Sequence, residues 1–200
     1  MKKGALFIDR DGVINHMVLQ DNGTFDSPQT IEQVLLFDGI VELLRWLITH
    51  DIPIIEISNQ PAVAKGKLSM EELELIEKKV HSLLNENDVH IDAIYRCFHH
   101  PQAIIKKYKK DCDCRKPKGG LLIQAALEMN IDLPSSIFLG DNITDIETGY
   151  GVGCYTILFP HTPHLNDTPE NLSTNKAYKN THLVSSLAEV VPTIAKIWHI

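Results

Sequence analysis

Long apolar runs are missing from these 200 residues: none approaches the roughly 20 residues that a membrane-spanning helix requires, so no membrane partner is expected. Positive charge is also short. Lys and Arg total 19 against 26 Asp and Glu, a formal net charge of −7, so no broad surface attracts nucleic acid and an anionic ligand must be drawn by a local group of cations. Aromatic residues are 6% of the chain, which argues against the basic, aromatic-studded groove of a single-strand binder. Cysteine is scarce, with four in all, and the apolar run Ala5 to Ile8 is too short for a signal-peptide core and meets charge at once. Without a secretory signal, these thiols suit a reducing compartment, so they are expected to bind metal or pack in the core of a cytoplasmic protein.

What is present is core material. With 44% apolar and 22% charged residues, the chain can build one sizeable core, read as a single domain over 1–200. Strand-like and helix-like segments alternate. Ala5–Ile8 reads as a first strand, 52–58 as a second, 90–98 as a third, 135–141 as a fourth and 154–159 as a fifth. Between them, 39–50, 69–87, 119–130 and 143–151 carry helical patterning, and Ser69 with Glu72 three residues on forms a capping-box signature. The polar stretch 20–30, with Asn22-Gly23, reads as loop or hairpin. Pro160 to Thr181 reads as a long loop before a last strand at 182–185 and a helix from Ser186. The alternation predicts an α/β fold, a doubly wound, Rossmann-like parallel sheet, whose ligands bind at the carboxyl ends of the strands.

Polar clusters stand where those ends should be. Asp9, Arg10 and Asp11 follow the first strand, Ser58, Asn59 and Gln60 the second, and Asp141 and Asn142 the fourth, while Arg115 and Lys116 precede a helix. A lone Asp-Arg-Asp-Gly would be an ordinary turn, but the conjunction suits phosphoryl transfer through a covalent aspartate. One carboxylate attacks phosphorus and the second moves protons. Two acids beside a phosphate dianion need a hard dication, which fits Mg²⁺ with Asp141 as a third carboxylate. Lys116 would neutralise phosphate charge and Ser58 would bind its oxygens, with Arg10, Asn15, Asn59, Gln60 and Arg115 as further substrate candidates and Asn142 in support.

"FIDRDGVIN", "ISNQ", "CRKPKGG" and "FLGDNITD", in this order, resemble the four motifs of the haloacid dehalogenase (HAD) superfamily of phosphatases over residues 4 to 158. The resemblance implies that Asp9 is the nucleophile and Asp11 the general acid/base. It implies that Asp9, the Asp11 backbone carbonyl and Asp141 hold Mg²⁺, with Asp145 supporting the site.

A second constellation, C-x-H-x12-C-x-C, comprises Cys97, His99, Cys112 and Cys114. Three thiolates and an imidazole form a closed tetrahedral set suited to structural Zn²⁺, here pinning a loop over 97–114, with His100 as a second choice for the imidazole. This loop, running into "CRKP", resembles the subgroup that contains histidinol-phosphate phosphatase and D-glycero-D-manno-heptose 1,7-bisphosphate 7-phosphatase, the heptose enzymes more closely. That resemblance implies a small phosphorylated substrate contacted by Arg115, no large cap domain, and a monomer. The sequence departs from it where Asn142 replaces the usual cation after "GD" and where Pro61-Ala62 replaces Ser-Gly. Cys154, Trp46 and Trp198 read as core, and the lysines at 106, 107, 109 and 110, with His161 and His164, as solvent-facing. A nucleic-acid-end phosphatase and a non-enzymatic module are the competing classes. The charge balance argues against the first, and the presence of Asp11 against the second.

Overall fold

The computed structural model describes residues 3–21, 23–160 and 180–200. The chain starts in the middle of its own sheet. β1 (Leu6–Ile8) is followed by a small antiparallel hairpin of β2 (Val18–Leu19) and β3 (Phe25–Asp26), and then by α1 (Ile40–Thr49), which leads to β4 (Ile54–Asn59) beside β1. Helix α2 (Met70–Asn85) continues outward to β5 (Ala93–Cys97). The chain then crosses back through α3 (Gly120–Glu128) and places β6 (Ile137–Gly140) on the other side of β1. Through α4 (Ile143–Gly151) it reaches β7 (Tyr155–Leu158), then β8 (Thr181–Leu183), and it ends in α5 (Val190–Trp198). The sheet order is β5-β4-β1-β6-β7-β8, with every pairing parallel. This is the doubly wound arrangement expected, and the winding reverses between β1 and β6.

Strand alternation builds two cores. Leu6 and Ile8 of β1 join Ile54, Leu139 and Ile157 on one face, packed against Leu43 and Leu47 of α1, Leu73 and Val80 of α2 and Ile194 of α5. Ala5 and Phe7 join Ile55, Ile57 and Phe138 on the other, under Leu122 and Ala125 of α3. Cys154 lies in this second core, as expected. Trp46 and Trp198 pack only partly buried at the margin of the first. At the start of α2, the Ser69 hydroxyl accepts from the Glu72 N–H at 3.1 Å, and the Glu72 carboxylate accepts from the Ser69 N–H at 2.7 Å, which closes the capping box. The carboxy-terminal helix opens with a 3-10 turn at Leu187–Glu189 rather than with α-helix from Ser186. The expected loop at 160–181 falls mostly outside the described residues, as do His161 and His164. Among the described residues, no helix is long and apolar enough to cross a membrane.

Candidate active site

The reversal between β1 and β6 brings two carboxylates together. Ile8 pairs with Leu139, and the Asp9 N–H donates to the Leu139 carbonyl at 3.0 Å, so Asp9 and Asp141 emerge side by side at the carboxyl edge. The turn after Asp9 needs Gly12: its φ is +97°, and a Cβ there would sit 2.1 Å from Asp141 Oδ2. Asn142 caps α4 by accepting from the Thr144 N–H at 3.1 Å, while Asp145 Oδ2 accepts from the Asn142 N–H at 3.1 Å. That reciprocal cap turns Asp145 toward the strand ends, so one ligand oxygen from each of Asp9, Asp141 and Asp145 lies within 4.8 Å of the others.

One buried cation faces this group. Lys116 Nζ lies 2.8 Å from Asp9 Oδ2 and 2.7 Å from Asp145 Oδ1, and it also donates to the Ile57 carbonyl at 3.3 Å. Asn59 fixes its backbone by accepting from the Lys116 N–H at 3.1 Å and donating to its carbonyl at 3.2 Å. Burial by itself would lower the pKa of Lys116, but Asp145 and Asp9 outweigh it and the ammonium is held firmly charged. Asp9 is pushed well above the usual carboxylate range, first by burial and then by Asp145 and Asp141, with Lys116 opposing. Three acids around one ammonium leave an excess of negative charge among hard oxygen donors, which fits a divalent cation such as Mg²⁺. Asp145 belongs to that donor group by position, beyond the supporting role expected of it.

Asp11 and Arg10 lie apart from it. The alternation of β1 continues past its end: Asp9 follows Ala5 and Phe7, whereas Arg10 follows Leu6 and Ile8 into the face covered by α2. Arg10 is 0% exposed, so it does not face the cavity as the phosphate-binding candidate it was in the sequence. Its Nε and Nη2 grip the Asp11 carboxylate at 2.9–3.2 Å, and its Nη1 reaches Glu77 Oε1 at 3.4 Å. Asn15 donates to Asp11 Oδ1 at 3.0 Å, and Gln60 donates to Asp11 Oδ2 at 2.7 Å and to the Ser58 hydroxyl at 2.6 Å. Asn15, Ser58 and Gln60 are thus buried in the hydrogen-bond network around Asp11, behind the residues that line the cavity. Burial opposes ionisation of Asp11, but Arg10 and the hydrogen bonds from Arg10, Asn15 and Gln60 prevail, and its pKa lies below the ordinary value.

Asp9, Asp11, Asp141 and Lys116 open into a cavity of about 690 Å³. The β2–β3 hairpin supplies one wall, including Phe25, Asp26 and Ser27, and the segment after β4 another, with Pro61, Lys65 and Lys67. Lys67 pairs with Asp26 across the mouth, and Arg115 lines the same cavity while donating to the His99 carbonyl at 3.3 Å. Lys65, Lys67 and Asp26 were not singled out in the sequence, because only the fold shows that the hairpin leans over the strand ends.

The second constellation also converges. The sulfurs of Cys97, Cys112 and Cys114 lie 3.1–3.6 Å apart, and His99 Nδ1 is 3.3 Å from Cys114 Sγ and 3.8 Å from Cys97 Sγ. Four soft donors at these separations can surround one tetrahedral ion, which fits Zn²⁺. His100 is not in the cluster; its Nδ1 accepts from the Gln102 N–H at 3.1 Å, and it is half-buried rather than exposed. The lysines at 106, 107, 109 and 110 are exposed on the same loop.

Comparison with known proteins agrees with this geometry. A family model described as HAD-hydrolase-like matches residues 113–190. The chain is 35% identical to the D-glycero-beta-D-manno-heptose-1,7-bisphosphate 7-phosphatase of Haemophilus influenzae over 147 residues, covering 74% of this chain and 76% of that one. It is 31% identical to the enzyme of the same name from Photorhabdus laumondii over 96% of both chains. Among solved structures, the D,D-heptose 1,7-bisphosphate phosphatase of B. bronchiseptica, complexed with magnesium and phosphate, superposes with a TM-score of 0.78 at 24% identity, covering 96% of this chain and 98% of that one. The enzyme of that name from Burkholderia thailandensis gives a TM-score of 0.64 at 18% identity over 96% and 99%.

Proposed function

Because the chain belongs to the HAD family of phosphatases, we propose that it removes one phosphate from D-glycero-D-manno-heptose 1,7-bisphosphate, with Asp9 as nucleophile and Asp11 as the proton carrier. The observation that carries the reading is the sharing of one cavity by two separate sets of charge. At its base, Asp9, Asp141 and Lys116 suit the phosphoryl group that reacts. Toward its walls, Lys65 and Arg115, beside the Lys67–Asp26 pair, suit a second anion on the same substrate. An aminoalkyl phosphate such as histidinol phosphate would present a cation to those cations.

The reaction divides into two displacements. A carboxylate oxygen of Asp9 attacks phosphorus, the bond from phosphorus to the sugar oxygen breaks, and Asp11 gives that oxygen a proton. Asp11, now a carboxylate, takes a proton from water as the water oxygen attacks phosphorus, which releases inorganic phosphate and frees Asp9. The entering phosphate places negative charge beside Asp11 and so favours the protonated form that the first half requires. Lys116 balances charge on the reacting group and holds Asp9 in line. Asp9, Asp141 and Asp145, with the Asp11 carbonyl that the family resemblance implies, would hold Mg²⁺, which would supply charge neutralisation there. Cys97, His99, Cys112 and Cys114 would hold Zn²⁺, which would tie down the loop that leads into Arg115 and Lys116.

The test is phosphate release, with Mg²⁺ and with EDTA, from the heptose bisphosphate, histidinol phosphate and a panel of sugar and nucleotide monophosphates. A Mg²⁺-dependent kcat/KM at least about tenfold higher for the bisphosphate supports the reading, since a well-placed charge pair contributes at least ~1.4 kcal/mol. Even activity across the panel would sink the heptose assignment.

A further inference from the structure

Arg10 holds Asp11 through both oxygens, but something must hold Arg10. Its guanidinium is fully buried, at the junction of β1 and α2, and its remaining nitrogen, Nη1, hydrogen-bonds Glu77 Oε1 at 3.4 Å. Glu77 is 6% exposed and occupies the apolar stripe of α2, between Leu73, Ile76, Val80 and Leu84. An acid in that stripe is costly unless paired, and this one is paired twice, since its Oε2 also bonds Arg96 of β5. The other buried acid on this face, Glu56 of β4, acts on Arg10 through its charge but makes no hydrogen bond to it and so does not set its orientation; His81 Nε2 stands 3.4 Å from Glu56 Oε2.

The geometry points to Glu77 as a positioning residue: its carboxylate fixes the Arg10 guanidinium, and Arg10 in turn fixes the rotamer of the Asp11 carboxylate for proton transfer to the departing sugar oxygen. The inference rests on Asp11 being the proton carrier. A guanidinium is a planar fork, so a rotation of Arg10 moves both of its bonds to Asp11 together. Asn15 and Gln60 each supply a single bond, one to each oxygen of Asp11, whereas Arg10 spans both oxygens from one rigid group. Glu77 touches no substrate, and it lies on the helix-covered side of the sheet edge, away from the cavity that holds Asp9.

This role separates from simple support of the fold by its dependence on the leaving group. An alkoxide needs a proton to depart, whereas 4-nitrophenolate leaves without one. The parameter to compare is kcat/KM, which covers events only up to departure of the leaving group and so excludes later hydrolysis at Asp9. Glu77→Gln keeps the volume, but an amide cannot accept from both Arg10 and Arg96 without turning its NH2 on one of them. The expected result is a fall of about tenfold or more in kcat/KM for the heptose bisphosphate, or for glucose 6-phosphate if the wild type prefers it, with 4-nitrophenyl phosphate kept within about twofold. Glu77→Asp, which keeps the charge but withdraws it by one methylene, should show a smaller selective loss, and it serves if the glutamine variant fails to fold. Equal losses on both substrates would make Glu77 merely structural, and no loss on either would make it dispensable; each overturns the inference. Asp11→Asn, measured beside them, distinguishes the failures. If Asp11→Asn shows no leaving-group selectivity, the assignment of Asp11 is wrong and the role of Glu77 falls with it; if it does and the Glu77 variants do not, only the role of Glu77 is wrong.

Discussion

Lys116→Met isolates the electrostatics of the site, since methionine matches the lysine stem and removes only the charge. In the wild type, Lys116 is 5% exposed and bridges Asp9 and Asp145, which are 8% and 0% exposed. Without it, two buried carboxylates face each other, with Asp141 as a third nearby. Removing one partner of a buried ion pair costs about 3–5 kcal/mol, which in a chain of this size lowers the Tm by roughly 6–20 °C. The assay is a thermal melt in EDTA, followed by one in Mg²⁺. Mg²⁺ at a hundred times its Kd stabilises a protein that binds it only when folded by about 2.7 kcal/mol. The variant should gain more than the wild type, because a dication no longer competes with an ammonium for the same oxygens. A loss below about 1 kcal/mol in EDTA, or equal Mg²⁺ gains in both proteins, would refute the account of Lys116 as the charge that keeps the empty site together.

Asp9→Asn should abolish phosphate release while raising the Tm in EDTA at neutral pH. Burial and the neighbouring acids hold the folded-state pKa of Asp9 above its unfolded value, so its ionisation costs stability as pH rises through that window, and the variant's advantage should shrink as pH falls toward 4, the unfolded aspartate value. Asp11 has the opposite sign: its folded pKa is lowered, so it contributes stability above the unfolded value that is lost on acidification, and Asp11→Asn should be destabilised most near neutrality. Cys112→Ser should reduce bound zinc, measured by elemental analysis, and lower the Tm; unchanged zinc would remove Cys112 from the ligand set. Ser69→Ala should cost about 1 kcal/mol through the lost α2 cap, with kcat/KM unchanged, and a fall in activity would contradict the distance of that cap from the chemistry.

How much of this was legible in the sequence depends on where each residue stands relative to a strand end. Asp9, Asp141, Lys116 and the four metal-binding candidates could be read directly, because polar groups that recur where apolar runs stop have little use in a core. Arg10 was misplaced although the signal was available: the alternation that buries Leu6 and Ile8 on the α2 face sends residue 10 the same way. Glu77 was also readable, as an acid at a position whose neighbours at helical spacing, Leu73, Val80 and Leu84, are all buried. Lys65, Lys67 and Asp26 were not, since nothing local says that a hairpin of two-residue strands folds over the carboxyl edge.

The two sides of β1 therefore carry two halves of one device. The odd-numbered side ends in Asp9, which faces Lys116 and the acids of β6 and α4, where charge is concentrated at a cost in stability. The even-numbered side ends in Arg10, which sinks into the core and is neutralised there by Asp11 and Glu77. Asp11 is reached from both sides, opening to the cavity while its carboxylate is tied back through Arg10. In the proposed reaction the nucleophile must face the phosphoryl group, whereas the proton carrier needs its direction fixed from behind. The consecutive residues Asp9 and Arg10 serve both requirements because the pleat sends Asp9 to the cavity and Arg10 to the core, from where it holds Asp11.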